Sequence, residues 1–238
     1  MILIPAPGDR ELQKASKDEN VLTIVAILLQ ILKENSIVKQ DFFRLVARFL
    51  KKSDRLVSPD FEKEMRTLRL YHQRGADNEG YYSIPKYVDL LIAALEILYE
   101  QPQKNLGYQR GAIVELLSTE LICSRCESGE CFDNQIFAHS ASRYKSNQID
   151  VVVFSEKWQE VEGYTCKINL DWLSSPDCTN LTALYKQAQT LGFKSHIGVI
   201  CFDNSRVIMQ KIKRLPLDAP LHAYGTDNIL RLEENPFQ

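Results

Sequence analysis

Residues 147–170, NQIDVVVFSEKWQEVEGYTCKINL, give the strongest indication of the fold in this sequence. Apart from Asp150, residues 149–154 carry apolar, mostly β-branched side chains, and residues 160–170 alternate weakly between polar and apolar. The polar residues between these two segments are typical of a turn. The stretch therefore predicts a β-hairpin that carries Asp150 on its first strand and Lys167 on its second.

Antiparallel pairing would bring Asp150 and Lys167 to the same side of this hairpin. A turn centred between Glu156 and Gln159 places Asp150 opposite Thr165. Lys167 lies two residues further on and shares that face, because successive strand side chains point to opposite faces. A carboxylate there can bind a hard cation through oxygen, and a lysine can stabilise negative charge that develops on a phosphate. The pair therefore suits metal-assisted hydrolysis of phosphodiesters.

Further strands and helices are predicted on both sides of the hairpin. Residues 108–122 predict a helix, and residues 132–139 predict a strand. Residues 181–191 predict a second helix, which Gly192 would end as a C-terminal cap. Residues 196–202 are almost wholly apolar, as in a strand buried on both faces. Residues 174–180 and most of the segment after residue 215 are predicted to be loop.

The N-terminal part of the chain is predicted to be helical. Apolar periodicity indicates helices over residues 21–33, 41–52, 59–71 and 87–99, and a linker over residues 101–107. The chain would thus divide into a helical N-terminal region, 1–107, and a second domain, 108–238. Residues 36–75 hold ten Lys or Arg against five Asp or Glu. This excess suits contacts with nucleic-acid phosphates, and it suits an ordinary solvated helical surface equally well.

The order of elements from residue 108 to residue 203 resembles the restriction-endonuclease-like core of the PD-(D/E)xK nuclease superfamily. The resemblance is carried by RGAIVE (110–115), IDVVV (149–153), TCK (165–167) and the helix that contains Tyr185, Lys186 and Gln187. It implies an α/β (α+β) fold in which helices flank a mixed β-sheet. It also implies Mg²⁺ or Mn²⁺ held by Glu115 and Asp150, with Lys167 as the catalytic lysine.

The sequence departs from the family pattern at Thr165, where the family has an acid. Glu162 is the candidate replacement as a catalytic residue and metal ligand, provided that a bulge at Gly163 turns it onto the metal face. In a regular strand Glu162 points the other way, and Glu160 is a further alternative upstream. On the leading helix, Glu120 falls nearer the apolar face than Glu115. Two functions follow: a nuclease that acts on DNA, or a catalytically degenerate protein that binds nucleic acid or a protein partner without cleaving.

Six cysteines are scattered along the chain, and two of them fall in predicted strands. This pattern predicts reduced thiols rather than a disulfide scaffold. The motif Cys123-x-x-Cys126 is half of a zinc site, and Cys131 adds a third thiol. Because no convincing fourth ligand follows, free thiols are favoured over Zn²⁺. A third hypothesis is that the chain is a small zinc-containing interaction protein.

Composition suggests no membrane span, and the balanced net charge gives no overall sign of a polyanionic partner. The chain has 29 Lys and Arg against 31 Asp and Glu. Its longest apolar run, residues 21–32, is too short to span a bilayer, and no stretch resembles a secretory signal. The expected location is the cytoplasm. The expected partner is nucleic acid, with DNA favoured over RNA, and a homodimer is compatible with this prediction.

Overall fold

The computed structural model describes residues 3–5, 10–33, 37–51, 66–67, 70, 85–100, 103–126, 130–137, 148–215 and 217–238. The chain forms two compact units. A helical unit comprises Arg10–Ile113, and a sheet unit comprises Met1–Asp9 together with Val114–Gln238. The division falls inside a helix, six residues after the predicted boundary at residue 107.

The helical unit contains α1 (Arg10–Ala15), α2 (Glu19–Lys33), α3 (Ile37–Lys51), α4 (Pro85–Glu100) and the first half of α5 (Gln103–Cys123). Its centre is α2, whose apolar residues Val21, Ile24 and Leu28 are fully buried. The helices predicted over residues 21–33, 41–52 and 87–99 are confirmed. The linker predicted over residues 101–107 is wrong from residue 103, because α5 has already begun there.

Most of the predicted basic stretch lies outside the described residues. The structure describes residues 37–51, 66–67 and 70 of the segment that carries the excess of lysine and arginine. The helix predicted over residues 59–71 falls almost entirely in the undescribed part. A nucleic-acid interface on this stretch therefore stays a prediction.

The sheet unit is built on a six-stranded mixed β-sheet in which the strands lie in chain order. The strands are β1 (Leu3–Pro5), β2 (Cys131–Phe137), β3 (Gln148–Ser155), β4 (Glu160–Lys167), β5 (Lys194–Cys201) and β6 (Leu221–Tyr224). The pairings from β1 to β4 are antiparallel, and β4, β5 and β6 run parallel. The predicted mixed sheet flanked by helices is confirmed. The sequence did not predict β1 or β6.

The parallel pairing of β4 and β5 requires a crossover, which α6 (Ser175–Thr190) provides. The helix begins six residues earlier than predicted, because Ser174 and Asp177 form a capping box and proline is favourable at a helix start. Gly192 follows the helix with a φ of 77°, as a helix C-terminus of this kind requires. A further helix, α7 (Ser205–Ile212), follows β5 and was not predicted.

The main core of the sheet unit lies between the sheet and the helices α6 and α7. Leu181, Leu184 and Ala188 of α6 pack with Val152 of β3 and Val161 of β4. Residues Ile208 and Ile212 of α7 belong to the same cluster. Among the described residues, no helix is both long enough and apolar enough to cross a membrane.

Candidate functional site

The predicted hairpin is present with the predicted register. Strands β3 and β4 pair without interruption from Val151↔Tyr164 to Ser155↔Glu160. Continuing this register places Asp150 opposite Thr165, and the Thr165 hydroxyl donates a hydrogen bond of 2.9 Å to Asp150 Oδ2. Thr165 and Lys167 share the face of β4 that packs against α6. The acid and the lysine are thus brought to one face of the sheet.

The Asp150 carboxylate is buried at this point of the sheet. It accepts hydrogen bonds from the Thr165 hydroxyl and, at 2.7 Å, from the backbone N–H of Cys166. Burial raises the pKa of Asp150 above its ordinary value, because water no longer solvates the charged form. The nearby charge of Lys167 and the two hydrogen bonds oppose this shift. The carboxylate is therefore held in a fixed orientation with its charge only partly compensated.

Lys167 forms an ion pair with Asp177, and sequence analysis did not identify this partner. Lys167 Nζ lies 3.0 Å from Asp177 Oδ1. Burial lowers the pKa of Lys167, but the charges of Asp150 and Asp177 outweigh burial, so the net shift is upward. Burial likewise raises the pKa of Asp177, but Lys167 and the hydrogen bonds from Ser174 outweigh it and the net shift is downward. Both groups are therefore charged at neutral pH.

Asp177 reaches the site because α6 begins beside the end of β4. Its Oδ2 accepts hydrogen bonds from the Ser174 hydroxyl at 2.6 Å and from the Ser174 backbone N–H at 2.8 Å. These bonds form the capping box and leave Oδ1 directed at Lys167. The sequence carried a signal for this residue, since serine followed three residues later by an acid marks a helix start. That signal was missed because residues 174–180 were predicted to be loop.

Glu115 lies on α5 at a partly buried position, whereas Glu120 is exposed. The thiol of Cys166 has a raised pKa because of burial first, followed by the charges of Asp150 and Glu115. Ser118, one turn along α5 from Glu115, forms a hydrogen bond with the same thiol. Glu115 therefore faces β4 from α5, and the expectation that Glu120 points inward more than Glu115 does not hold.

Glu162 does not contact Asp150 or Lys167 and instead binds other side chains on the opposite face of β4. Its two carboxylate oxygens accept bonds of 2.8 and 2.5 Å from the guanidinium of Arg125, and Tyr164 donates its hydroxyl to the same carboxylate. The pairing of Val152 with Gly163 is regular, so the bulge that would turn Glu162 round is not formed. Glu160 is paired with Lys194 at 3.1 Å.

Gly163 has a packing role instead of marking a bulge. A Cβ atom at this position would lie closer than 3.0 Å to Leu184 Cδ2 of α6 and 3.5 Å from Leu181 Cδ2. The absence of a side chain thus lets the helix approach the strand closely. This close packing brings the start of α6, and Asp177 with it, beside the end of β4.

The bonding of Cys123 and Cys131 differs from the prediction of free thiols. Cys123 and Cys131 are joined by a disulfide, so the expectation of reduced thiols is wrong for these two residues. The spacing of eight residues lets their Cα atoms approach to 5.7 Å, a separation suited to a disulfide. Cys126, Cys166, Cys178 and Cys201 are free. Two of the three thiols considered for Zn²⁺ are therefore covalently occupied.

The donor chemistry of the Asp150 cluster fits Mg²⁺. Among the described residues, no three His, Cys, Asp or Glu side chains come together as a metal site. Magnesium, however, is usually held by one or two carboxylates and keeps several waters. Asp150 and Asp177 supply two carboxylates near Lys167, and burial raises the pKa of Asp150 despite that positive charge. A hard cation would add a second positive charge there.

Comparisons with known proteins do not add to this geometry. No family model, no curated protein and no solved structure matches the chain.

Proposed function

We propose that the sheet unit is a restriction-endonuclease-like core and that it acts as a magnesium-dependent nuclease on DNA. The observation that carries the proposal is the cluster of Asp150 and Lys167 on adjacent strands, with Asp177 paired to the lysine. The order α5, β2, β3, β4, α6 and β5 agrees with the order expected for such a core.

Each residue of the cluster has a distinct role. Asp150 and Asp177 would hold Mg²⁺, and Thr165 orients Asp150 by donating its hydroxyl. Bound Mg²⁺ supplies Lewis-acid polarisation of the phosphate and a lower pKa of bound water. Lys167 stabilises the negative charge that develops on the phosphate oxygens. Asp177 thus replaces, from the following helix, the acid that the family pattern places at residue 165.

Two further acids were predicted as ligands. Glu115 faces Cys166, on the face of β4 opposite Thr165 and Lys167, and its role as a metal ligand stays a prediction. Glu162 is not included in the proposed ligand set, because it lies on the face of β4 opposite Thr165 and Lys167, where Arg125 and Tyr164 bind its carboxylate. Both assignments can be tested by substitution.

A second function is favoured by one specific observation. Lys167 is already ion-paired with Asp177, and Thr165 occupies the position of the expected acid. A protein with this arrangement could bind nucleic acid or a protein partner at the same face without cleaving it. The two functions differ in whether phosphodiester bonds are broken.

The test is cleavage of plasmid, linear and single-stranded DNA, and of RNA, in the presence of Mg²⁺ or Mn²⁺. We expect Asp150→Asn, Asp177→Asn and Lys167→Met each to lower the rate by about 10²-fold or more, as loss of a ligand or a charge-stabilising group does. The matched control is Asp218→Asn, which breaks the exposed ion pair of Asp218 with Lys186 at 3.3 Å. It should leave the rate unchanged.

Three outcomes separate the functions. Cleavage that is lost in the three site variants and kept in the control supports the nuclease. Cleavage that persists in Asp150→Asn contradicts it. Wild-type protein that binds DNA in a salt-sensitive manner and cleaves nothing supports the degenerate function instead.

A further inference from the structure

A half-exposed tryptophan follows strand β4 shortly after Lys167 in the chain. Trp172 is 50% exposed and ends a 3₁₀ turn, Leu170–Trp172, that begins three residues after Lys167. Large aromatic side chains carry much apolar surface, and exposing one in water gives up the stability that burial would bring. An indole held half-exposed within five residues of Lys167 is therefore available for contact with a ligand.

The fold fixes this tryptophan in its exposed position. The backbone N–H of Leu170 donates to Asp203 Oδ2 at 3.0 Å, and Lys211 Nζ donates to the Leu170 carbonyl at 2.5 Å. Leu170 and Leu173, on either side of the turn, are buried in the same core cluster as Ile208 and Ile212 of α7. Trp172 is thus presented to solvent by a turn that is anchored at both ends.

A basic segment packs against the same turn. Residues 204–215 include four basic residues and no acid: Arg206, Lys211, Lys213 and Arg214. Arg206, Lys213 and Arg214 are exposed. Since Lys211 bonds directly to Leu170, this positive segment adjoins the turn that carries Trp172. Asp171 is also exposed and places one opposing charge on the turn.

An exposed aromatic ring beside exposed basic side chains is the combination that binds single-stranded nucleic acid. Bases stack on the aromatic face, and lysine and arginine contact the phosphates. Duplex DNA offers the phosphates but keeps its bases stacked inside the helix. The ring therefore favours a strand with unpaired bases.

We propose that Trp172 and the basic segment 206–214 bind single-stranded DNA beside the Asp150–Lys167 cluster. One base stacks on the indole of Trp172, and the phosphates of the strand follow the basic segment. This makes single-stranded or frayed DNA the preferred substrate, and in that respect the inference rests on the proposed nuclease function. Binding of the strand itself does not depend on cleavage.

The chain provides its own control for this test. It contains two tryptophans, and Trp158, in the turn between β3 and β4, is 57% exposed. Eight residues of β4 separate the two, about 25 Å at the rise of a strand, so both cannot contact the same base. Replacing Trp158 by phenylalanine leaves Trp172 as the sole source of tryptophan fluorescence.

The experiment measures binding of a 12-nucleotide thymidine-rich strand by full-length Asp150→Asn protein in EDTA. We expect the strand to quench Trp172 fluorescence in the Trp158→Phe background, and the blunt duplex of the same length to quench it less. Trp172→Ala should weaken binding by about 5- to 150-fold, as loss of one stacking contact does. Trp158→Ala should change affinity by less than about twofold, and Trp172→Phe should restore most of the loss.

Several results would overturn the inference: equal effects of Trp172→Ala and Trp158→Ala, tighter binding of the duplex, or tighter binding of RNA of the same sequence. Failure of the nuclease proposal is seen separately. A protein that binds the strand through Trp172 but never cleaves it supports this inference and rejects the nuclease. A protein that cleaves DNA, but whose Trp172→Ala variant binds the strand normally, supports the nuclease and rejects this inference.

Discussion

At the scale of single residues, the proposed role of Asp150 as a ligand is accompanied by a cost in stability. Its pKa is raised because burial penalises the charged carboxylate. A group with a raised pKa favours the folded state most at low pH, and that contribution is lost as the pH rises through the folded-state pKa. At neutral pH the burial of Asp150 is therefore a net cost to stability, which the hydrogen bonds from Thr165 and Cys166 reduce.

Asp150→Asn should consequently stabilise the protein while abolishing cleavage. The amide keeps an oxygen that accepts hydrogen bonds and carries no charge to desolvate. We expect the free energy of unfolding in urea at pH 7 to rise by about 0.5–2 kcal/mol, the usual gain from a single stabilising substitution. The gain should shrink as the pH falls and Asp150 becomes protonated. A loss of stability at pH 7 would mean that attraction to Lys167 outweighs burial, and would contradict the prediction.

At the scale of elements, the two faces of β4 carry different groups of polar side chains. Thr165 and Lys167 face α6 and form the candidate site, whereas Glu162 and Tyr164 form a buried polar cluster on the other face. The position of the candidate site depends on Gly163, because α6 can approach β4 this closely only where the strand has no side chain. The site thus depends on a helix–strand contact that contains no catalytic residue.

Gly163→Ala should therefore destabilise the sheet unit. The added methyl would collide with Leu184, which is fully buried. Overpacking of this kind costs about 1–3 kcal/mol, and displacement of α6 should lower activity as well. Gly111→Ala is the control, since its Cβ would meet only Leu12 at 3.9 Å. In a helix that change should be neutral or stabilising by up to about 1 kcal/mol. Urea unfolding of both variants checks the contrast.

Local sequence patterns predicted the elements whose signals are local. The β-branched run of β3 and the alternation that follows it gave the hairpin, its register and the shared face of Asp150 and Lys167. Strands β1 and β6 depend on pairing with distant strands and carry little local signal. Asp177 was missed because its role requires the start of α6 to lie beside the end of β4. That proximity follows from the packing at Gly163, which no local pattern shows.

At the scale of the whole sheet unit, a buried ion pair ties three distant segments together. Arg125 follows α5, Glu162 lies on β4, and the Leu232 carbonyl accepts a bond of 2.7 Å from Arg125 Nε. Near this pair, His196 Nε2 forms a hydrogen bond of 2.7 Å with the Tyr224 hydroxyl. The ring of His196 also stacks on that of His222, with ring centroids 4.1 Å apart. Burial, with a smaller effect of His222, lowers the pKa of His196 to about 3, so this histidine is neutral at physiological pH. The guanidinium of Arg125 is thus the main compensation for the buried Glu162 carboxylate.

Removal of one charge from this pair should lower the free energy of unfolding far more than removal of both. Arg125→Met leaves the Glu162 carboxylate buried without its partner, which costs about 3–5 kcal/mol. The double variant Arg125→Met, Glu162→Leu removes both desolvation penalties, and we expect it to regain most of that loss. Urea unfolding of the two single variants and the double variant measures the coupling. Equal destabilisation by the single and double variants would contradict a mutually compensating pair.

The same double variant decides the role of Glu162 in catalysis. If Glu162 only holds the sheet unit together, the folded double variant should cleave DNA at close to the wild-type rate, because Asp150, Lys167 and Asp177 lie on the other face of β4. If Glu162 instead is a metal ligand that leaves Arg125 when substrate binds, the double variant should be stable but inactive. Cleavage rates measured at equal concentrations of folded protein separate these outcomes, since stability and catalysis then change independently.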